Sequence, residues 1–300
     1  MSNVIAVIWD CDKTLIDGYM QDPIFKEYNI DPVKFWDDVN GEVQAYADKG
    51  MRVNRDTYYL NYFIRAAHRG MFPGLNNEKL NEFGKKQKFY KGVPEIFDRT
   101  REMISKNTKY AELGIKVEHY IVSTGFAEVI RGSILNDYVD DIWGCELIDA
   151  PDENGKMLIN EVVYTIDNTT KTRAIFEINK GKDIDVNAKI PKEMRRAQFR
   201  NMIYIADGPS DIPAFSLVDQ MEGATFAIYP KGDEEAMKQV EEMRDTKRVN
   251  MYAEADYSEG TTADIWIRHK ISTIADRIVK EHEDMIKNST SDTPRHLSSK

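Results

Sequence analysis

The sequence predicts an α/β protein: a Rossmann-like parallel sheet with helices on both faces, carrying a small helical cap inserted after the first strand. Three observations predict it. Short apolar runs stop abruptly at polar residues in VIAVIWD (4–10), VEHYIVST (117–124) and NMIYIAD (201–207). Apolar residues between and after these runs recur at helical spacing, and strands that alternate with helices imply a mostly parallel sheet. Residues 18–88 separate the first run from the next helix start, far more than the ~12–15 residues at which a structureless loop becomes unusual, so they form a folded insertion.

Taken in order, the run 4–10 is the first strand. Within the insertion, Trp36, Val39, Val43 and Tyr46 make one helical stripe, although Asn40-Gly41 weakens it, and Tyr59, Leu60, Phe63, Ile64 and Ala67 make another. A helix follows Gly92-Val93-Pro94, with Ile96, Phe97, Thr100, Met103 and Ile104 on one face. Residues 117–124 are a strand, and 140–167 read as two strands around a polar turn at Pro151 to Gly155. Asn168 to Thr170 can cap a helix that opens at Lys171. The run 201–207 is a strand and ATFAIY (224–229) is another, before a helix carrying Ile267, Ile271, Ile274 and Ile278. The expected domains are a core of residues 1–17 and 89–287, a helical cap of residues 18–88, and a polar tail, 288–300, expected to be disordered. Asn288-Ser289-Thr290 fits a glycosylation pattern that a cytoplasmic chain would not expose to that machinery. No internal repeat is visible.

Composition narrows the function classes. With 41% hydrophobic and 31% charged residues the chain can build a packed core. A formal charge of −10 repels phosphate backbones and anionic membrane surfaces, which argues against nucleic-acid and membrane partners. No apolar run approaches the ~20 residues of a membrane span, and Asp10 interrupts the N-terminal run before a secretory segment is complete, so the expected location is cytoplasmic. Cys11 and Cys145 form neither a close-spaced metal motif nor a disulfide framework and read as reduced bystanders. None of the five histidines lies beside the strand-end motifs; each reads as a surface or cap residue rather than a ligand.

The chemistry gathers where strands end. Asp10 and Asp12 lie at alternate positions, so an extended chain would point both carboxylates one way, a costly pairing unless a cation or proton intervenes. Ser123, Thr124 and Gly125 end a second strand and can offer hydroxyl and backbone N–H groups to an anion. Asp207 ends a third, with Asp211 four residues on. Alone, each motif reads as turn or helix-cap chemistry. At three equivalent topological positions, where open α/β sheets bind their ligands, they point together to one site.

The order and spacing of these motifs resemble the haloacid dehalogenase superfamily, in its phosphoserine-phosphatase-like branch. The resemblance implies a phosphohydrolase of small phosphorylated metabolites. Asp10 would be the nucleophile that forms an aspartyl-phosphate, and Asp12 the acid that protonates the leaving alkoxide and then activates water. Ser123 would hold a phosphoryl oxygen. Mg²⁺ would be held by the Asp10 and Asp207 carboxylates and the Asp12 carbonyl, with Asp211 supporting directly or through water. The resemblance also requires a lysine before the last strand; Lys171 is chosen for its helix start, over Lys189 and Lys192, which lie in a polar, proline-containing linker.

Two positions depart from the pattern. Lys13 stands where many members of the superfamily carry glycine, and Tyr19 where phosphoserine phosphatases place a glutamate that meets the substrate ammonium. Two rivals fit the same residues: a phosphotransferase or mutase, and a catalytically silent binding protein. The second rival has no use for a second acid/base carboxylate. The cluster of Tyr58, Tyr59, Tyr62 and Phe63 reads as core packing rather than a substrate pocket.

Overall fold

The structure, a computed structural model, describes residues 2–290. A seven-stranded sheet forms its centre. In chain order the elements are β1 (Val4–Trp9), α1 (Asp22–Glu27), α2 (Pro32–Ala47), α3 (Arg55–His68), α4 (Asn77–Gly84), α5 (Glu95–Ser105), α6 (Thr108–Glu112), β2 (Lys116–Phe126), α7 (Ala127–Arg131), β3 (Asp141–Pro151) and β4 (Met157–Tyr164). They continue with α8 (Lys171–Lys180), β5 (Met202–Ala206), α9 (Ile212–Gln220), β6 (Ala224–Tyr229), α10 (Glu234–Asp245), β7 (Met251–Glu254) and α11 (Thr262–Thr290).

The strand order is β4-β3-β2-β1-β5-β6-β7, parallel except for the antiparallel β3–β4 pair. Strand β1 is central because Ile5 to Trp9 are apolar on both faces and fully buried, the composition a parallel strand covered on both sides requires. The chain steps from β1 to β2 and β3 in one direction, then from β5 to β7 in the other. Right-handed crossovers therefore put helices on opposite faces, and the reversal leaves a crevice at the carboxyl ends of β1 and β5.

The insertion crosses from and back to the core along one seam, where Asp17 N donates to Lys88 O (2.8 Å) and Tyr90 N to Leu15 O (3.0 Å). Helices α1–α4 lie within it, and α1, α2 and α3 share an aromatic centre with Phe72 of the following loop: ring centroids are 4.9 Å apart for Phe25–Phe35, 4.8 Å for Phe35–Phe63 and 5.0 Å for Phe63–Phe72. Helix α2 runs unbroken through Asn40-Gly41. Its start is fixed by Pro32 and by Asp31, whose carboxylate accepts from Val33 N and Lys34 N. A solvent-facing Gly41 costs only about 1 kcal/mol relative to alanine, which the buried Phe35 and Val39 outweigh. Helix α4 sits against α7 through two glycines: a Cβ on Gly132 would lie 1.8 Å from the Asn81 carbonyl oxygen, and one on Gly84 2.3 Å from that of Val129.

Two local expectations change, and one strand is new. Strand β7, only four residues long, carries too little pattern to be read from sequence. His119 is neither a surface nor a cap residue: it is fully buried on β2, its Nδ1 accepting from Trp9 Nε1 (3.1 Å) and its Nε2 lying 2.9 Å from Thr100 Oγ1. Helix α11 runs to Thr290, into the segment expected to be disordered; residues 291–300 of that segment lie outside the described residues.

Candidate active site

Each strand-end motif reaches the crevice by its own backbone logic. Asp10 follows β1 directly, its N–H donating to Ile205 O of β5 (2.9 Å), which sets it beside the end of that strand. Asp207 follows β5 by one residue. Asp211 stands at the N-cap position of α9 without spending its side chain on a capping bond, and Pro213 fits the first turn because its missing N–H leaves no bond unmade. Lys171 opens α8, and its N–H donates to Asp167 O (3.0 Å).

The Lys171 side chain, 1% exposed, bridges two carboxylates: Nζ lies 2.8 Å from Asp10 Oδ1 and 2.7 Å from Asp211 Oδ1. Carboxylate oxygens of Asp10, Asp207 and Asp211 all lie within 4.8 Å of one another. Asp211 is held further by Tyr204, whose hydroxyl donates to Oδ1, and by Ser210 Oγ, 2.9 Å from Oδ2. Tyr204 is a site residue that sequence reading missed. It is an aromatic in a buried strand, and nothing local distinguishes it from core.

One lysine cannot balance three clustered carboxylates, two of them buried and Asp207 half-buried, and the acid strengths reflect that. Burial pushes the Asp10 carboxyl up to about 6 against the opposing pull of Lys171, with Asp211 adding to the rise. Burial, then Asp10 and Asp211, push Asp207 up to about 7. Burial alone would discharge Lys171, but Asp10 and Asp211 more than offset it and hold its ammonium above the usual range. The oxygen donors and excess negative charge suit a hard divalent cation.

Asp12 lies outside that oxygen cluster. Its Oδ1 accepts from Met20 N (2.9 Å), and burial, followed by the charge of Asp10, raises its carboxyl well above the ordinary range. Lys13 takes φ +53°, the left-handed conformation that glycine adopts without strain, so the loop keeps that shape with a side chain present. Its N–H donates to Gly18 O (3.0 Å), and its Nζ sits 4.7 Å from the centroid of the Tyr19 ring.

Ser123, Thr124 and Gly125 fall within β2, which runs to Phe126 and passes directly into α7. Ser123 is buried, and its Oγ accepts from Gly125 N (3.1 Å). The Thr124 carbonyl accepts from Tyr59 Oη (2.7 Å), so the tyrosine cluster of α3 both packs and touches the site. Gly125 is required by close approach: a Cβ there would lie 2.3 Å from Met20 Sδ, which accepts from Phe126 N (3.1 Å). Lys189 and Lys192 are exposed. A cavity of about 640 Å³ opens beside the Lys13–Tyr19 pair, lined by Asp17, Tyr19, Asp22, Lys26 and Lys88 among others, and by none of the clustered carboxylates.

Among the described residues no helix is long and apolar enough to cross a membrane. No family model matches the chain. Similar solved structures include a HAD family hydrolase from Salmonella enterica serovar Typhi (13% identity, TM-score 0.48, 84% of this chain and 67% of that one). A substrate-bound phosphoserine phosphatase gives 16% identity and a TM-score of 0.47 over 85% and 95%, and a cytosolic 5'-nucleotidase IIIB bound to cytidine gives 10% and 0.48 over 92% and 86%. A protein of Borreliella burgdorferi, described only as uncharacterized, is 38% identical over 283 residues, 90% of this chain and 97% of that one. The chain belongs to one family with that Borreliella protein, and its strand-end motifs resemble those of the haloacid dehalogenase superfamily.

Proposed function

We propose that the protein is a cytoplasmic, Mg²⁺-dependent phosphohydrolase of the haloacid dehalogenase type that acts on a small phosphomonoester. The observation that carries the reading is Lys171 Nζ held between Asp10 and Asp211, with Asp207 alongside: a buried cation and a carboxylate cluster meeting at the ends of β1 and β5.

The free oxygen of Asp10 attacks phosphorus as the bond to the leaving oxygen breaks, and Asp12, whose raised pKa favours the protonated carboxyl, gives that oxygen a proton. Water then attacks the aspartyl-phosphate, giving its proton to Asp12, and the bond from phosphorus to Asp10 breaks to release phosphate. Lys171 meets the charge on the phosphoryl oxygens, and Ser123 donates to one of them. Asp10, Asp207, the Asp12 carbonyl and, directly or through water, Asp211 would hold Mg²⁺. Bound there, the ion would neutralise charge on the phosphoryl group.

The helices of residues 18–88 act as a cap that excludes water and inspects the leaving group. The leaving group faces Tyr19 and the adjoining cavity. A tyrosine hydroxyl gives no fixed negative charge for an ammonium, so phosphoserine is not strongly preferred. The test is phosphate release from an aryl phosphate: present with Mg²⁺, abolished by chelator and by Asp10→Asn. Activity that survives both would overturn the reading.

A further inference from the structure

We propose that Asn54 and Asp167 are positioning residues that tie the setting of Lys171 to the seating of the inserted helices on the core. The inference rests on the phosphohydrolase reading, which gives Lys171 a phosphoryl group to meet.

The two oxygens of Asp167 serve different parts of the protein. Oδ1 accepts from Thr169 N (2.9 Å), Thr170 N (2.7 Å) and Thr170 Oγ1 (2.9 Å), and the Asp167 carbonyl accepts from Lys171 N (3.0 Å), so the start of α8 hangs on this residue. Oδ2 accepts from Asn54 Nδ2 (2.8 Å), across the boundary between core and insertion. Asn54 is in turn the N-cap of α3, its Oδ1 accepting from Thr57 N (2.9 Å). One hydrogen bond thus joins the cap of the lysine-bearing helix to the cap of an inserted helix.

A neighbouring contact runs the same way. Tyr59, in the second turn of α3, donates to Thr124 O. The cap and opening turns of α3 therefore grip both the loop that delivers Lys171 and the strand end that carries Ser123. If the insertion shifts, the start of α8 loses its partner, and Lys171 loses the frame that holds it between Asp10 and Asp211.

The chemistry of the pair supplies its own control. Asn and Asp are equally good helix caps, so exchanging them keeps both caps and restores the joining bond with donor and acceptor reversed. Either single exchange sets two like groups against each other. The experiment compares the full-length wild type, Asn54→Asp, Asp167→Asn and the double exchange. It measures kcat and KM for an aryl and an alkyl phosphate well below the melting temperature, and amide exchange at Thr169, Thr170 and Lys171.

Each single variant should lose about three- to tenfold in kcat, the scale of one hydrogen bond. The loss should be equal for both substrates, because the phosphoryl group is common to them, and the three amides should exchange faster. The double exchange should return kcat to within about twofold of wild type, since the restored bond is of the same kind, and slow the amides again. A double exchange that multiplies the two losses, or single variants that leave kcat and amide exchange unchanged, would overturn the inference. A wild type that releases no phosphate from any substrate overturns the phosphohydrolase reading instead, and amide exchange in the four proteins still decides whether the bridge holds α8.

Discussion

Lys171→Met removes the ammonium and keeps most of the side chain's length and packing. The two carboxylates left behind are deeply buried, with side-chain exposures of 9% for Asp10 and 0% for Asp211. Breaking a buried pair from one side costs about 3–5 kcal/mol, because the remaining charge has lost its compensation. With an unfolding entropy of about 2.1 cal/mol/K per residue over 300 residues, that is a fall in melting temperature of about 5–8 °C. The same change removes a preorganised charge from the phosphoryl group, for which a loss of about 10²–10³ in kcat is the usual scale. Thermal melts in chelator measure the first effect without interference from a bound cation, and phosphate release in Mg²⁺ measures the second. Lys189→Ala and Lys192→Ala are the controls, exposed lysines whose loss should stay within about 0.5 kcal/mol and leave turnover intact. An unchanged melting temperature and full turnover in Lys171→Met, or an essential Lys189 or Lys192, would refute the reasoning.

Three further outcomes follow from the same geometry. Asp12→Asn should slow turnover by about 10²–10⁴, less for aryl than for alkyl phosphates; equal losses on both would remove Asp12 as the leaving-group acid. Across phosphoserine, phosphoethanolamine, phosphocholine, sugar phosphates and aryl phosphate, kcat/KM should not favour phosphoserine by as much as about 100-fold, the scale of pocket discrimination; a larger preference contradicts the reading of Tyr19. Burial, with Arg101 adding, holds the His119 ring neutral well below its usual titration range. Its contribution to stability is therefore complete above the unfolded value of about 6.5 and declines as pH falls from there toward the folded value, by up to about 1.4 kcal/mol per pH unit. His119→Gln should flatten that part of the pH–stability curve, and an unchanged slope between pH 6.5 and 5 would show that the ring does not titrate on unfolding.

What could be read in the sequence was local. Asp10 and Asp207 announce themselves because a buried strand stops where the polar residues begin, and Ser123 by the same switch from apolar to polar, although β2 runs on past it to Phe126. Lys171 was legible through the turn before it, although the capping is done by Asp167 rather than by the residues from Asn168 to Thr170. Other features depend on partners far along the chain. Tyr204 at Asp211, Met20 under Gly125, and Asn54 against Asp167 each read as ordinary strand, loop or cap residues until the fold brings their partners close. His119 is the clearest case, since the donor that keeps its Nδ1 unprotonated, Trp9, lies 110 positions away.

The central claim is that Asp10 carries the phosphoryl group between the two displacements. Rapid acid quenching of the enzyme during turnover, followed by mass spectrometry of its peptides, tests it most directly. The account predicts a transient phosphoryl group on the peptide containing Asp10, absent from Asp10→Asn and accumulating in Asp12→Asn with an aryl phosphate, because its hydrolysis needs the missing base. A wild-type enzyme that releases phosphate at full rate, with no phosphoryl group ever found on that peptide, would contradict it.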